Sequence, residues 1–389
     1  MRRMDMGKKS KGTARIRYLS LGLMVLIGAM CGIWIAEIAE SAFPVGQTGG
    51  ELIFLMLVLF GVFLFAMLFQ TVLHEAGHLV FGLWTGYRFL SFRIFSVMWI
   101  RENGEIRRKR YTLAGTSGQC LMAPPEKKEG KFPVVLYNLG GAGMNLAAAA
   151  VFGGLGWLTA GIPLLSSVWC MAALAGLALA LLNGIPMSAA VPNDGYNALC
   201  LRRSQSARDS FWIQLKVNEQ IAKGVRLHQM PEEWFAVPTD EEMKNSMTAV
   251  QGVLVCNRLM DACRLEEAAG LMTRLLQMDS GIVPLHRNLL LLDLLYCELT
   301  GENRREVAEA LFTDELKKFV RSMRQNPSVL RTLYAYALLQ ERDRAKAAAL
   351  QAQFEKIAET YPYPCEIQGE RVLMVIAMGK SGAAAAVAG

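Results

Sequence analysis

The feature that most restricts the fold is a pair of long apolar regions that are almost free of charge. In residues 52–87 the only charged side chain is Glu75, and in residues 132–201 it is Asp194. A helix of about 20 apolar residues is enough to cross a bilayer. With 53% hydrophobic and 19% charged residues, the chain is too apolar for a purely soluble enzyme.

Apolar runs at residues 18–38, 52–84, 134–158 and 164–182 predict four membrane-spanning helices. The second run would form a helix of about 50 Å, so it must tilt or emerge from the membrane. The first run follows a basic tail at residues 1–17, and a cleaved signal peptide is the alternative interpretation. The run exceeds the apolar core of about 7–15 residues found in signal peptides, which favours a membrane span.

The distribution of basic residues predicts the orientation of these spans. The loop at residues 85–133 contains ten Lys and Arg, whereas the loops at residues 39–51 and 159–167 contain none. Because cytoplasmic loops carry the excess of positive charge, the large loop and both termini are predicted to face the cytosol, in a bacterial cytoplasmic membrane. The same bias accounts for the net charge of +7 without a nucleic-acid partner. The eight cysteines occur singly, which argues against a zinc knuckle or a disulfide-stapled domain.

Part of the large loop has the pattern of a β-hairpin. Residues 89–100 alternate loosely and are rich in Phe, Ile, Val and Trp, and an Asn-Gly pair at residues 103–104 precedes a basic stretch ending near Leu113. An Asn-Gly pair between such stretches is typical of a tight hairpin turn. The sequence therefore predicts a hairpin at the membrane surface, with an exposed edge.

Glu75 lies in the sequence His74-Glu75-Ala-Gly-His78, which matches the HExxH pattern. Residues four apart share one face of a helix, so both imidazoles can bind one Zn²⁺ while Glu75 lies beside a water on the metal. The alternative is a pair of hydrogen-bonded polar residues that join helices. Helix association requires neither this spacing nor a carboxylate between the histidines, and the chain has only four histidines.

A catalytic zinc site has three protein ligands and one open position. Asp194, just after the fourth span, is the predicted third ligand because an isolated acid next to a membrane is costly. A plain Asn-Asp-Gly turn is the alternative, and Asn193 is the alternative ligand. Asn138 and Asn145 lie seven residues apart on one face of the third span. They are candidates either for hydrogen bonding between helices or for binding substrate or stabilising an oxyanion.

These motifs resemble the site-2 protease family of intramembrane zinc metalloproteases. The resemblance covers about 150 residues, and its elements are the HExxH motif, Gly141-Ala-Gly-Met-Asn145, and Asn183-Gly-Ile-Pro186 followed by Asp194-Gly195. It implies one Zn²⁺ per chain, held by His74, His78 and Asp194, with Glu75 as the general base and Asn145 lining the active-site cleft. It also implies hydrolysis of peptide bonds in a membrane-spanning protein or peptide, as regulated intramembrane proteolysis or precursor processing.

The edge of the predicted hairpin is a candidate for binding the substrate. A helical substrate must unwind before its scissile carbonyl is accessible, and an unwound strand can pair with an exposed sheet edge. We expect this edge at Ile94, Ser96 and Met98, and a proline that breaks pairing near residues 94–100 should impair cleavage.

Residues 204–378 are predicted to form an all-α cytosolic domain. Helix pairs at residues 246–263 with 265–278, and 329–340 with 345–361, resemble tetratricopeptide repeats. Such an array would bind a regulatory or delivery protein, and a generic helical bundle without a partner is the alternative. The Ala- and Gly-rich tail at residues 379–389 is predicted to be disordered.

The expected architecture is mainly α: a polytopic four-helix transmembrane core with a small membrane-associated β-hairpin at residues 18–203, followed by the helical-repeat-like domain. The favoured function is a zinc metalloendopeptidase, and pairing with a second copy is expected because gating helices are few. The alternatives are a non-catalytic membrane scaffold, which would not require Glu75, and a transporter, which four spans without an internal repeat do not favour.

Overall fold

A computed structural model describes residues 11–42, 48–102, 104–112, 116–188 and 192–387. The protein is mainly helical, and four short strands make up a small antiparallel sheet. The described residues divide into two compact units. We call residues 11–94 and 117–205 the apolar unit, and residues 95–116 and 206–387 the helical unit.

The apolar unit is built on four long helices that are followed by a shorter one. They are α1 (Lys11–Ala42), α2 (Gly49–Trp84), α3 (Val135–Leu158), α4 (Pro163–Gly184) and α5 (Asp194–Arg203). By length and composition, each of α1 to α4 is able to cross a membrane. The four apolar runs predicted from the sequence therefore form four helices, with ends that differ from the predicted ones by a few residues.

Glycines allow α2 and α3 to approach each other closely. A Cβ atom added at Gly77 would lie 2.3 Å from the carbonyl oxygen of Gly140, and one added at Gly140 would lie 2.7 Å from the carbonyl oxygen of Gly77. Any larger residue would push the two backbones apart at this crossing. The close contact brings the HExxH segment of α2 against the asparagine-bearing segment of α3.

The strands form two antiparallel pairs. In the apolar unit, β1 (Arg88–Ile94) pairs with β4 (Gly118–Ala123), with Ile94 opposite Gly118. In the helical unit, β2 (Val97–Glu102) pairs with β3 (Glu105–Arg110), with Val97 opposite Arg110.

The β2–β3 pair corresponds to the predicted hairpin, although Asn103 of its turn lies outside the described residues. The sequence did not predict β4. It also predicted one strand over residues 89–100, and this was wrong because the backbone turns at Phe95, which has a positive φ of 50°, a conformation that phenylalanine rarely adopts.

The helical unit consists of nine further helices among the described residues. They are α6 (Gln205–Ala222), α7 (Ser246–Asp261), α8 (Leu265–Gln277), α9 (Pro284–Thr300), α10 (Arg305–Leu311), α11 (Asp314–Ser322), α12 (Pro327–Leu339), α13 (Arg344–Ala358) and α14 (Pro364–Val387). Three short 3-10 turns, at Leu227–Gln229, Glu232–Phe235 and Glu242–Lys244, lie between α6 and α7.

Local sequence explains where these helices begin. At the start of α12, the side-chain oxygen of Asn326 accepts a hydrogen bond from the backbone N–H of Ser328 at 3.0 Å, and Pro327 occupies the first helical position. Both choices are typical of helix N-termini. The apolar faces of the helices meet in a core that includes the fully buried Tyr296 and Phe354.

Helix α14 continues to Val387, so it includes most of the Ala- and Gly-rich segment for which the sequence predicted disorder. Alanine has the highest intrinsic helix propensity of the amino acids, and a run of alanines can extend a helix that tertiary contacts have already formed. Residues 388–389 lie outside the described part of the chain.

Candidate metal centre

Two histidines and one aspartate meet in the apolar unit. His74 and His78 lie one turn apart on α2, and their Nε2 atoms are 3.3 Å from each other. The Oδ2 atom of Asp194 lies 3.0 Å from Nε2 of His74 and 3.4 Å from Nε2 of His78. One ligand atom from each of the three residues lies within 4.8 Å of the others, which is the arrangement expected for three ligands of a single metal ion.

The other ring nitrogen of each histidine is held by α3. Nδ1 of His74 is 2.9 Å from Oδ1 of Asn145, and Nδ1 of His78 is 2.8 Å from the backbone carbonyl of Tyr137. Both partners accept hydrogen bonds, so each Nδ1 carries the hydrogen. In the neutral imidazole, Nε2 then keeps its lone pair, and both Nε2 atoms are directed to the same point.

Three groups therefore converge that can each direct a lone pair to one cation. Two nitrogen lone pairs and a carboxylate this close together repel one another unless a positive charge lies between them. Two imidazoles and one carboxylate oxygen form a donor set that suits Zn²⁺, and outer hydrogen bonds of this kind orient zinc-binding histidines.

Asn145 lies behind His74, where its side chain is fully buried. Its Nδ2 donates to the backbone oxygen of Gln70 at 2.7 Å and to Oε1 of Gln70 at 2.9 Å. Gln70 in turn donates to the backbone carbonyl of Ala172 on α4 at 3.1 Å. These bonds join three helices and occupy both ends of the Asn145 amide. Asn145 therefore holds the His74 imidazole in position.

The other asparagines considered from the sequence make local contacts. Nδ2 of Asn138 donates to the carbonyl of Val134, one turn earlier in the chain, at 2.8 Å. Oδ1 of Asn193 accepts hydrogen bonds from the backbone N–H groups of Met187 and Tyr196, at 2.9 and 3.0 Å. Asn193 therefore fixes the start of α5, whose first residue is Asp194, and it contributes to the site by positioning that carboxylate.

Glu75 lies next to strand β4. A Cβ atom added at Gly118 would lie 2.5 Å from Oε1 of Glu75, so only glycine leaves room for the carboxylate in this position. Within the described part of the apolar unit, β4 pairs with β1 and has no second strand partner. A backbone edge able to form further hydrogen bonds thus lies beside the Glu75 carboxylate.

Arg93 of β1, like Gly118, is a residue of this region that was not identified from the sequence. It is only 1% exposed, its Nη2 donates to the backbone oxygen of Gly118 at 3.4 Å, and its charge interacts with that of Glu75. An arginine between Phe92 and Ile94 in a strand otherwise rich in apolar residues was the signal available in the sequence.

The three residues predicted to form a substrate-binding edge lie on different elements. Ile94 ends β1 and is opposite Gly118. Ser96 is in the turn that follows, and its backbone oxygen accepts a hydrogen bond from the backbone N–H of Tyr111 at 3.0 Å. Met98 belongs to β2, where it is opposite Lys109 and its side chain is fully buried.

No protein-family model, no curated protein and no solved structure matches this chain.

Proposed function

We propose that this protein is an intramembrane zinc metalloprotease of the site-2 protease type. The observation that carries the proposal is the convergence of His74 Nε2, His78 Nε2 and Asp194 Oδ2 within 4.8 Å, with each imidazole oriented by a hydrogen bond from its far side. The carboxylate of Glu75 follows His74 directly in the chain. A structural zinc site has no use for such a base, whereas peptide hydrolysis requires one.

Each residue of the site has its own role in the proposed reaction. His74, His78 and Asp194 would hold one Zn²⁺, which supplies a Lewis acid for the scissile carbonyl. Glu75 takes a proton from the attacking water and delivers it to the nitrogen of the leaving amine. The C–N bond breaks, the hydroxyl remains on the carbonyl carbon, and the proton on Glu75 completes the new amino group. Asn145 and Tyr137 keep the imidazoles in the tautomer that this chemistry needs.

Strand β4 is the surface that we propose for the substrate backbone. The sequence-based hypothesis placed an extended substrate at Ile94, Ser96 and Met98, but the edge beside the base is the one at Gly118. An unwound segment paired with β4 would bring its carbonyl groups close to the Glu75 carboxylate. The buried guanidinium of Arg93, bonded to the Gly118 carbonyl, would hold this part of the strand in place.

The apolar helices α1 to α4 are proposed to span a bacterial cytoplasmic membrane as a multi-pass core. The basic residues between α2 and α3 favour a cytosolic position for that segment and for both termini. In this arrangement the helical unit is cytosolic and resembles a tetratricopeptide array in its paired helices, such as α12 and α13. Its proposed role is to bind a protein that delivers or regulates a membrane-spanning substrate.

Comparing new chain termini in bacterial membranes tests the proposal. Cells would express the wild-type protein, Glu75→Gln, or the matched control Glu37→Gln, in which an exposed glutamate of α1 is changed. We expect termini within membrane-spanning segments of substrate proteins with the wild type and the control, and their loss with Glu75→Gln. Zinc bound to the purified protein together with identical termini in all three membranes would favour a non-catalytic scaffold instead.

A further inference from the structure

The helical unit contains a cavity that the proposed protease chemistry does not use. Its volume is about 310 Å³, and its walls come from α6, α7, α9, α12 and α14. This volume is far larger than the space that one buried water needs and is at the lower end of the range for small-ligand sites, roughly 300–1,000 Å³.

Six charged side chains line the walls among more numerous apolar residues, and the acids outnumber the arginines. The lining includes four acids and two arginines: Asp261, Asp293, Glu366, Glu370, Arg226 and Arg331. Both arginines are already engaged within the wall. Arg226 binds Asp261 at 2.8 Å, and Arg331 pairs with both Asp293 and Glu370.

Glu366 is the acid without a cation. Its Oε2 accepts a hydrogen bond from the hydroxyl of Tyr361 at 2.9 Å, and no Lys, Arg or His among the described residues forms an ion pair with it. Burial, together with the negative charges of Glu370 and Asp261, raises the pKa of Glu366 to about 7. The cavity therefore holds a carboxylate whose ionised form lacks a counter-charge.

The charge of Arg331 is already balanced within the wall. Arg331 is 1% exposed, and its guanidinium lies over the ring of Tyr296, with the central carbon 4.4 Å from the ring centroid. Because Asp293 and Glu370 both pair with this guanidinium, it does not supply a counter-charge for Glu366.

We propose that this cavity binds a peptide through one basic side chain, with the cationic group beside Glu366. A cation supplies the counter-charge that Glu366 lacks. An anionic ligand fits less well, because it would add to an excess of carboxylates in a buried space. This site lies within the helical unit and does not depend on the proposed protease activity.

Fluorescence anisotropy with labelled peptides tests the proposal on the full-length protein in lipid nanodiscs. The probe is a short peptide of Gly and Ala with one central Arg, and the matched probe has the uncharged analogue citrulline in its place. We expect the Arg probe to bind the wild type at least about tenfold more tightly, since a charge-assisted contact is worth roughly 1.5–3 kcal/mol. Equal affinity of the two probes, or no binding of either, would mean that the cavity contains only water, and it would overturn the proposal.

Two variants test whether the Arg probe binds in the cavity. Glu366→Gln keeps the size of the side chain and the contact with Tyr361 while it removes the charge, so it should abolish the preference for Arg over citrulline. Glu315→Gln changes an exposed glutamate of α11 and should leave that preference unchanged. An unchanged preference in Glu366→Gln would place the binding elsewhere and contradict the proposal. Because the comparison of probes on the wild type needs no variant, the result stands even if Glu366→Gln does not fold.

Discussion

His74 and Asn145 are joined by a buried hydrogen bond of 2.9 Å between Nδ1 and Oδ1. The two residues are 71 positions apart in the chain, and the bond fixes the imidazole so that Nε2 is directed toward Asp194. Gln70 holds the opposite end of the Asn145 amide, which determines which atom of that amide faces His74. The ligand geometry thus depends on a contact between α2 and α3.

Replacing Asn145 with Leu should weaken zinc binding by roughly 10–100-fold, the usual cost of losing an outer partner of a metal-binding histidine. Asn145→Asp keeps an acceptor for Nδ1 and should retain more of the affinity. Competition with a chromogenic chelator measures the change. Asn138→Leu is the matched control because, among the described residues, the Asn138 side chain bonds to the carbonyl of Val134 at the start of its own helix. An equal loss of affinity in both leucine variants would contradict the positioning role.

Gly118→Ala should reduce proteolysis while zinc remains bound. The new methyl group would lie 2.5 Å from Oε1 of Glu75, so the carboxylate must move, whereas the three metal ligands are not touched. Cleavage rate and zinc content are measured on the same preparation. Gly154→Ala on α3 has nothing within 4 Å of the added carbon and should behave as the wild type. Full activity in Gly118→Ala would show that Glu75 does not need this space.

Gly77→Ala should destabilise the apolar unit. The added carbon would lie 2.3 Å from the carbonyl oxygen of Gly140, and backbone atoms cannot move aside as a flexible side chain can. Overpacking of this kind costs about 1–3 kcal/mol. Thermal unfolding in detergent should therefore occur at a lower temperature than for Gly61→Ala, a control on the same helix with no atom within 4 Å. Equal midpoints for the two variants would contradict the close crossing of α2 and α3.

The helical unit should lose stability as the pH rises through neutrality. Burial raises the pKa of Glu366 from 4.5 to about 7, so between these values the folded protein keeps a proton that the unfolded chain releases. The resulting stabilisation is complete below the unfolded pKa and is lost as the pH rises through the folded one. Thermal midpoints measured from about pH 5 to about pH 8 should fall more steeply for the wild type than for Glu366→Gln. Glu315→Gln is expected to keep the wild-type slope, and a Glu366→Gln slope as steep as the wild type would assign the effect to other groups.

Local patterns in the sequence predicted the elements that depend on neighbouring residues. The HExxH spacing placed His74 and His78 on one helix face, and Asp194, singled out as the only charge in a long apolar region, lies beside both histidines. The paired helices at α7–α8 and α12–α13 also lie where periodicity and breaking residues predicted them.

Features that depend on distant contacts could not be predicted in this way. The place of Gly118 beside Glu75 depends on the pairing of β1 with β4, and β4 carries no clear strand pattern. The sequence left two roles open for Asn145 for a similar reason, because an asparagine in an apolar helix can face a substrate or a neighbouring helix equally well. Only the partners of its two amide atoms distinguish these roles.

The rate of cleavage per bound zinc tests the central claim most directly. It is measured for the wild type and for Glu75→Gln, each reconstituted with a substrate identified from the membrane termini, and the zinc content of each preparation is determined by mass spectrometry. The account predicts close to one zinc per chain in both proteins, and a rate per zinc that falls by at least about 100-fold in Glu75→Gln, since general acid–base catalysis contributes roughly 10²–10⁴-fold. A wild type that binds no zinc, or a Glu75→Gln protein that cleaves as fast per zinc as the wild type, would contradict it.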